Sequence, residues 1–204
     1  MNKVLVLFAH PVFQTSQLNQ ALLQALPDRA EITVHDLYEH YPNFMIDVAH
    51  EQALLQAHDV IVFQHPLYWY SAPAILKEWM DLVLEHGFAY GTEGTALAGK
   101  QFLSVVTSGG DLCNYQGERN IRDLLQPFEY TAKLCHMDYL PPFIVYGALK
   151  IKAQNYNDHI SANYLSEQAA IYQQLMDDLV QQRLSAQACA SYRTLNEHFP
   201  GALA

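Results

Sequence analysis

Long hydrophobic runs are missing from this chain. No stretch approaches the roughly 18 consecutive apolar residues of a membrane-spanning helix, although half of the residues are apolar. The apolar start, Met1 to Ala9, is cut off by His10-Pro11, too early for a signal peptide's core and cleavage region. Positive charge is scarce as well: 11 Lys and Arg stand against 21 Asp and Glu, a formal net charge of −10. That balance argues against a bare nucleic-acid backbone as partner and disfavours an anionic membrane surface. Cysteine is sparse. Cys113, Cys135 and Cys189 form no C-x-x-C pair, and an odd number closes no disulfide framework, so a reducing compartment is expected. These absences together predict a soluble cytosolic protein. Glycine-rich phosphate loops are lacking too. Neither G-x-G-x-x-G nor G-x-x-x-x-G-K-[ST] occurs, which argues against a nucleotide triphosphate or dinucleotide pyrophosphate held through those loops.

What is present is an alternation. Short apolar runs at Lys3–Ala9, Glu31–His35, Asp59–Gln64, Gln101–Thr107 and Tyr139–Tyr146 are separated by stretches of helical period. Val4-Leu5-Val6-Leu7-Phe8 and Val60-Ile61-Val62-Phe63 are apolar at every position, as strands covered on both faces must be. Leu18, Ala21, Leu22, Ala25 and Leu26 follow a helix stripe, and Leu76, Trp79, Met80, Val83 and Leu84 repeat it. Further helices are predicted over Asn120–Lys133 and Glu167–Arg183. Five strands alternating with helices imply right-handed crossovers and an open, doubly wound parallel sheet of the α/β class. A chain of 204 residues is long enough to bury a core without metal or disulfide. Residues 1–183 are expected to form one domain, with 184–204 a tail or appended helix.

Ligands of such sheets sit beyond the carboxyl ends of the strands, which singles out three loops. In the first, His10–Gln17, Ser16 is an N-cap candidate, and the helix start it opens offers unpaired N–H groups to a phosphate. Ser16, Asn19 and His10 would add neutral donors. The same residues also suit a plain cap, a solvated amide and a strand-end histidine. The second, Gln64–Pro73, carries Tyr68-Trp69-Tyr70 between two prolines. Three adjacent aromatics of an extended chain cannot all face one core, so some meet a flat ring system or another subunit. In the third, Thr107–Gly117, paired Gly109 and Gly110 let backbone N–H groups approach a ligand closely, and Tyr115 offers a phenolic donor. A plain turn fits this loop equally.

Other motifs fall away. His50-Glu51-Gln52-Ala53-Leu54 begins like the H-E-x-x-H zinc helix, but Leu54 stands where the second histidine is needed. Ser108 lacks the preceding glycine of a nucleophile elbow, because position 106 is Val106. The ten histidines are scattered, no metal ligand set is expected, and Cys135-His136 is taken as structural.

The three loops in this order resemble the flavodoxin-like NAD(P)H dehydrogenase (quinone) family. Carrying segments are Ala9-His10-Pro11 with Ser16 and Asn19, His35-Asp36-Leu37-Tyr38, Gln64–Pro73 running into Leu76-Lys77-Glu78-Trp79, Gly87–Gly91, Thr107–Gly110 and Leu140–Phe143. Within it, Val34–Tyr38, Tyr41-Pro42, Phe44, Ile46-Asp47 and Val60–Tyr68 are similar to the KefF/KefG-type ancillary proteins of glutathione-regulated potassium efflux. The resemblance implies strand order 2-1-3-4-5 and a bound flavin, FMN ahead of FAD. His10, Ser16, Gln17, Leu18 and Asn19 match the phosphate side. Leu67, Tyr68, Trp69 and Tyr70 match the isoalloxazine edge, and Thr107, Ser108, Gly109 and Gly110 the pyrimidine end. It further implies a homodimer joined near Pro73–Glu85 and Gly87–Gly91, with NAD(P)H giving hydride and a quinone accepting it. A regulatory role on a potassium-efflux transporter is the alternative. A one-electron carrier is a third, which suits the acidic charge but lacks the flavodoxin phosphate loop. The family sets a Tyr and a His over the flavin; Tyr115 takes the first position, and the second falls on Arg119.

Overall fold

In the computed structural model the described residues are 1–116, 120–149, 159–199 and 201–202. The order is β1 (Val4–Phe8), α1 (Gln17–Gln24), β2 (Ile32–Asp36), α2 (Leu37–His40), α3 (Val48–Ala57), β3 (Val60–Pro66) and α4 (Ala74–Val83). Then come β4 (Gln101–Thr107), α5 (Ile121–Leu124), α6 (Gln126–Leu134), β5 (Asp138–Tyr139), β6 (Phe143–Val145) and α7 (His159–Val180). All pairings are parallel, in the order β2-β1-β3-β4-β5, with β6 also on β4. The flavodoxin-like, doubly wound sheet expected from the sequence is the sheet found.

Strand alternation sorts the core into two layers. On one face Leu5, Leu7, Ile61, Phe63, Phe102 and Val106 pack under α2, α3, α4 and α6, where Trp79 is fully buried. On the other, Val4, Val6, Val60, Val62, Leu103 and Val105 meet Leu18 and Leu22 of α1 and Tyr172, Leu175, Met176 and Leu179 of α7. Residues after Gln182 close this second face: Leu184, Cys189, Leu195 and Phe199 are buried, and Asn196 clamps β6 through bonds with the Ile144 N–H and C=O.

Two departures from the sequence-based elements have the same cause. The strand expected over Tyr139–Tyr146 is two short strands, because Pro141 and Pro142 have no N–H to give the ladder. The helix expected over Asn120–Lys133 is broken at Leu125, where Pro127 enters the first turn of α6. The last helix starts earlier than its clearest stripe and stops at Val180, before Gln182 in the left-handed region (φ 60°).

Candidate functional site

The loops after β1, β3 and β4 meet at the carboxyl edge, as the topology requires. Between them lies a cleft of about 240 Å³ lined by His10, Ser16, Gln17 and Leu18, by Leu67 and Tyr68, and by Thr107 and Gly109. Thr15, Pro66, Ala148 and Leu149 complete the wall. No Lys or Arg lines it among the described residues.

Ser16 holds the N-cap position of α1, but its hydroxyl makes no capping bond; it accepts from Asn19 Nδ2 at 3.0 Å instead. The first-turn N–H groups of Gln17, Leu18 and Asn19 have no partner among the described residues, which leaves the positive end of the helix facing outward. Gln17 Oε1 is buried and unpartnered, a polar atom in the cleft wall waiting for a donor. Asn19 sits below the cleft, almost wholly buried. Its Nδ2 also donates to Thr107 Oγ1 (3.0 Å), and its Oδ1 accepts from Gln64 Nε2 (3.3 Å). Gln64 Oε1 in turn accepts from Tyr172 OH (2.6 Å). One chain of side-chain bonds thus ties α1, β3, β4 and α7 together under the site.

His10 is buried, and its Nδ1 accepts from the Val12 N–H at 3.1 Å. Burial holds its pKa below the usual value, so the ring is neutral at pH 7 with its proton on Nε2, a donor without charge.

The second loop protrudes. Tyr68 and Ser71 exchange backbone bonds of 2.9 Å in both directions, with Trp69 (φ 50°) and Tyr70 (φ 63°) at the tip. Two central residues at positive φ make a turn of the kind that favours Asn-Gly, yet here it carries two large rings, 94% and 67% exposed. Tyr68 stays at the cleft, its ring 5.8 Å from that of His10.

In the third loop the two glycines serve close packing. A Cβ on Gly109 would stand 3.0 Å from the Leu149 side chain, and one on Gly110 3.2 Å from Asn114 Oδ1. The Gly110 N–H is donated to Ser108 Oγ (3.2 Å), whereas the Gly109 N–H has no partner among the described residues. Ser108 Oγ donates to Tyr115 OH (2.9 Å), so the phenol stands beside the glycine loop and not in the cleft wall. Arg119 lies outside the described residues.

Ala148 and Leu149 escaped the sequence reading. They follow β6, whose exit strap bonds to the glycine loop through Ala148 N to Ser108 O (2.9 Å) and Gly147 N to Gly110 O (3.0 Å). The signal was available, since they sit at another carboxyl strand end, but the proline break hid where that strand stops.

Residues 2–183 match a family described as having a flavodoxin-like fold. A curated relative, the glutathione-regulated potassium-efflux system ancillary protein KefG of Serratia proteamaculans, is 52% identical over 164 residues, 78% of this chain and 90% of its own. Among solved structures, the general stress protein 14 of Treponema denticola in complex with FMN superposes with a TM-score of 0.79 at 35% identity, covering 87% of this chain and 99% of its own. An NADPH-quinone reductase from P. pentosaceus does so at 0.70 and 32%, covering 85% and 96%. Sheet order, cleft position and these likenesses agree, and the chain belongs to the flavodoxin-like family that includes the KefG ancillary proteins.

Proposed function

We propose that the chain is an FMN-dependent NAD(P)H:quinone oxidoreductase acting as a homodimer. The observation that carries this reading is the cleft itself, built from all three strand-end loops, with an outward helix start and the unpartnered Gln17 Oε1 in its wall. The residues fit a flavin mononucleotide: neutral donors for an anionic tail at one end, a free Gly109 N–H at the other, and aromatic side chains alongside. FMN in a relative at 35% identity supports the same assignment; FAD would need room for an adenylate beyond this cleft. When bound, the flavin supplies hydride acceptance from NAD(P)H and two-electron delivery to the acceptor.

The chain's own work is binding and positioning. The N–H groups of Gln17, Leu18 and Asn19 hold the phosphate through the helix start, joined by Ser16 Oγ and neutral His10. Leu67 and Tyr68 bound the ring edge. Thr107 and Ser108 would hold the pyrimidine end in place, and the Gly109 N–H would be the donor available to stabilise negative charge there. Trp69 and Tyr70 give the acceptor a surface to stack on and keep water off. Tyr115, held beside the glycine loop by Ser108, would have to turn its phenol into the cleft to donate a proton. Without a histidine partner at position 119, that step rests on Tyr115 alone.

The test is spectroscopic. Purified protein should be yellow, release FMN on denaturation, and bleach when NADPH is added without oxygen. Colourless protein that takes up neither FMN nor FAD overturns the reading.

The 52% identity to a KefG protein favours a second role, as ancillary subunit of a potassium-efflux transporter. No helix among the described residues is long and apolar enough to cross a membrane, so such a role needs docking on a membrane partner. Transporter activation that survives loss of the flavin would make this the primary function.

A further inference from the structure

The His50-Glu51 pair lacks a second histidine on its own helix, but the fold supplies one from a strand. His35, at the end of β2, brings Nε2 to 2.7 Å from Glu51 Oε1. Ligand atoms of His35, His50 and Glu51 all lie within 4.8 Å of one another. We propose that His35, His50 and Glu51 form a binding site for a divalent transition metal of the zinc class, independent of the flavin cleft.

The donor set suits such an ion: two imidazoles and one carboxylate, with a fourth position open to water. Both scaffolds are rigid. His35 is pinned in the sheet by register with Leu7, and α3 is capped by the Asp47 side chain, which accepts from the His50 N–H at 3.1 Å. Glu51 is fully buried and anionic. Burial pushes its carboxyl up, but bonds from His35, Tyr41 and Trp79 outweigh that and hold it below the usual carboxylate range. Tyr41 OH (2.5 Å) and Trp79 Nε1 (2.7 Å) donate to its oxygens. These are the outer hydrogen bonds that orient a ligating carboxylate.

A buried carboxylate with three donors is a sufficient structural unit, and the extra imidazoles are what it does not explain. His50 is exposed, and its ring centroid lies 5.8 Å from that of His35. His40, also exposed, lies 4.1 Å from the same ring, with its Nδ1 2.9 Å from the Asp36 carbonyl. Two exposed histidines at the mouth give an ion an entry path, and the net charge of −10 favours cations in general. On binding, the metal takes His35 Nε2 in place of the contact with Glu51, and the proton of the neutral ring moves from Nε2 to Nδ1. Ligands about 2.0 Å from a tetrahedral ion stand roughly 3.3 Å apart, so the His35–Glu51 pair opens by about half an ångström while the exposed His50 swings in.

The experiment is a competition titration of untagged protein with Zn²⁺ against a chromophoric chelator, followed by thermal unfolding with and without Zn²⁺. One equivalent should bind at micromolar affinity or better and raise the unfolding midpoint. His50→Ala, which removes an exposed side chain, should weaken binding at least about tenfold, and the surface control His136→Asn should leave it unchanged. His35→Gln should abolish the site where it folds. Absence of a stoichiometric site, or equal affinity in wild type and His50→Ala, overturns the proposal. Neither result depends on flavin content.

Discussion

Asn19 Nδ2 donates to Thr107 Oγ1 at 3.0 Å, joining α1 to the end of β4, 88 residues away, beneath the cleft. The same amide meets Ser16 and Gln64, so the proposed phosphate and pyrimidine ends share one buried anchor. Asn19→Ala leaves Gln64 Nε2 and Thr107 Oγ1 short of partners in a dry environment. The expected loss is about 2 kcal/mol of stability, with flavin affinity lowered at least about tenfold because both ends loosen together. Urea unfolding and a fluorescence titration with FMN measure the two. A stability loss with unchanged affinity would reduce Asn19 to a structural bond.

The Trp69-Tyr70 tip holds two non-glycine residues at positive φ with rings in solvent, a conformation costing of the order of 1 kcal/mol per residue. Strain kept at an exposed aromatic turn points to use rather than packing. The double variant Trp69→Asn, Tyr70→Gly should therefore stabilise the apoprotein by about 1 kcal/mol and raise KM for the quinone severalfold. An unchanged KM in steady-state assays would remove these rings from the acceptor site.

The parts legible in the sequence are those governed by local rules. All-apolar Val4–Phe8 and Val60–Phe63 can only be central strands, and the strand-end rule then located the site. Less legible were elements whose pattern is short or mixed. α2 is a single turn, and α3 buries Glu51 beside Leu55, so its inner face does not present an apolar stripe. Asp47 caps it through the His50 N–H, a local mark that the sequence reading did not use. Long-range pairs were beyond reach: nothing in the spacing places His35 against Glu51, or Asn19 against Thr107. The candidate cleft residues fell between these cases, since their loops could be located but their hydrogen bonds could not.

His65 is fully buried on β3, its Nδ1 3.0 Å from the Pro66 carbonyl and its Nε2 without a partner among the described residues. Burial lowers its pKa to about 4 from the ordinary 6.5. The folded state therefore holds the neutral ring, while the unfolded chain takes up a proton below pH 6.5. Stability contributed by this group is present above that pH and is lost as pH falls through 4. Between pH 7 and 4.5 the loss should be about 2 kcal/mol. His65→Gln cannot take up that proton, so its urea-unfolding free energy should fall by about 2 kcal/mol less over the same interval. Parallel curves for the two proteins would assign the acid sensitivity elsewhere.

Beside the aromatic turn, α4 and α6 enclose a groove of about 460 Å³ whose walls include Met80, Leu84, Leu124, Phe128 and Leu134. Leu134 is more than half exposed, as is neighbouring Tyr130. An apolar hollow continuing onto exposed apolar side chains suits a self-complementary contact, and its position next to Ser71 and Ala72 would let a second copy reach the aromatic turn. Leu134→Glu puts a charge on that surface without disturbing the core. Wild-type protein should then elute at twice its 23.2 kDa chain mass in light-scattering chromatography, and the variant at the single-chain mass. Flavin bound through the phosphate end should survive in the variant, while quinone turnover should fall at least about tenfold as the partner's side of the acceptor surface is lost. A monomeric wild type, or a variant that stays dimeric, would move the interface off this groove. A monomeric variant with full turnover would leave each site complete within one chain.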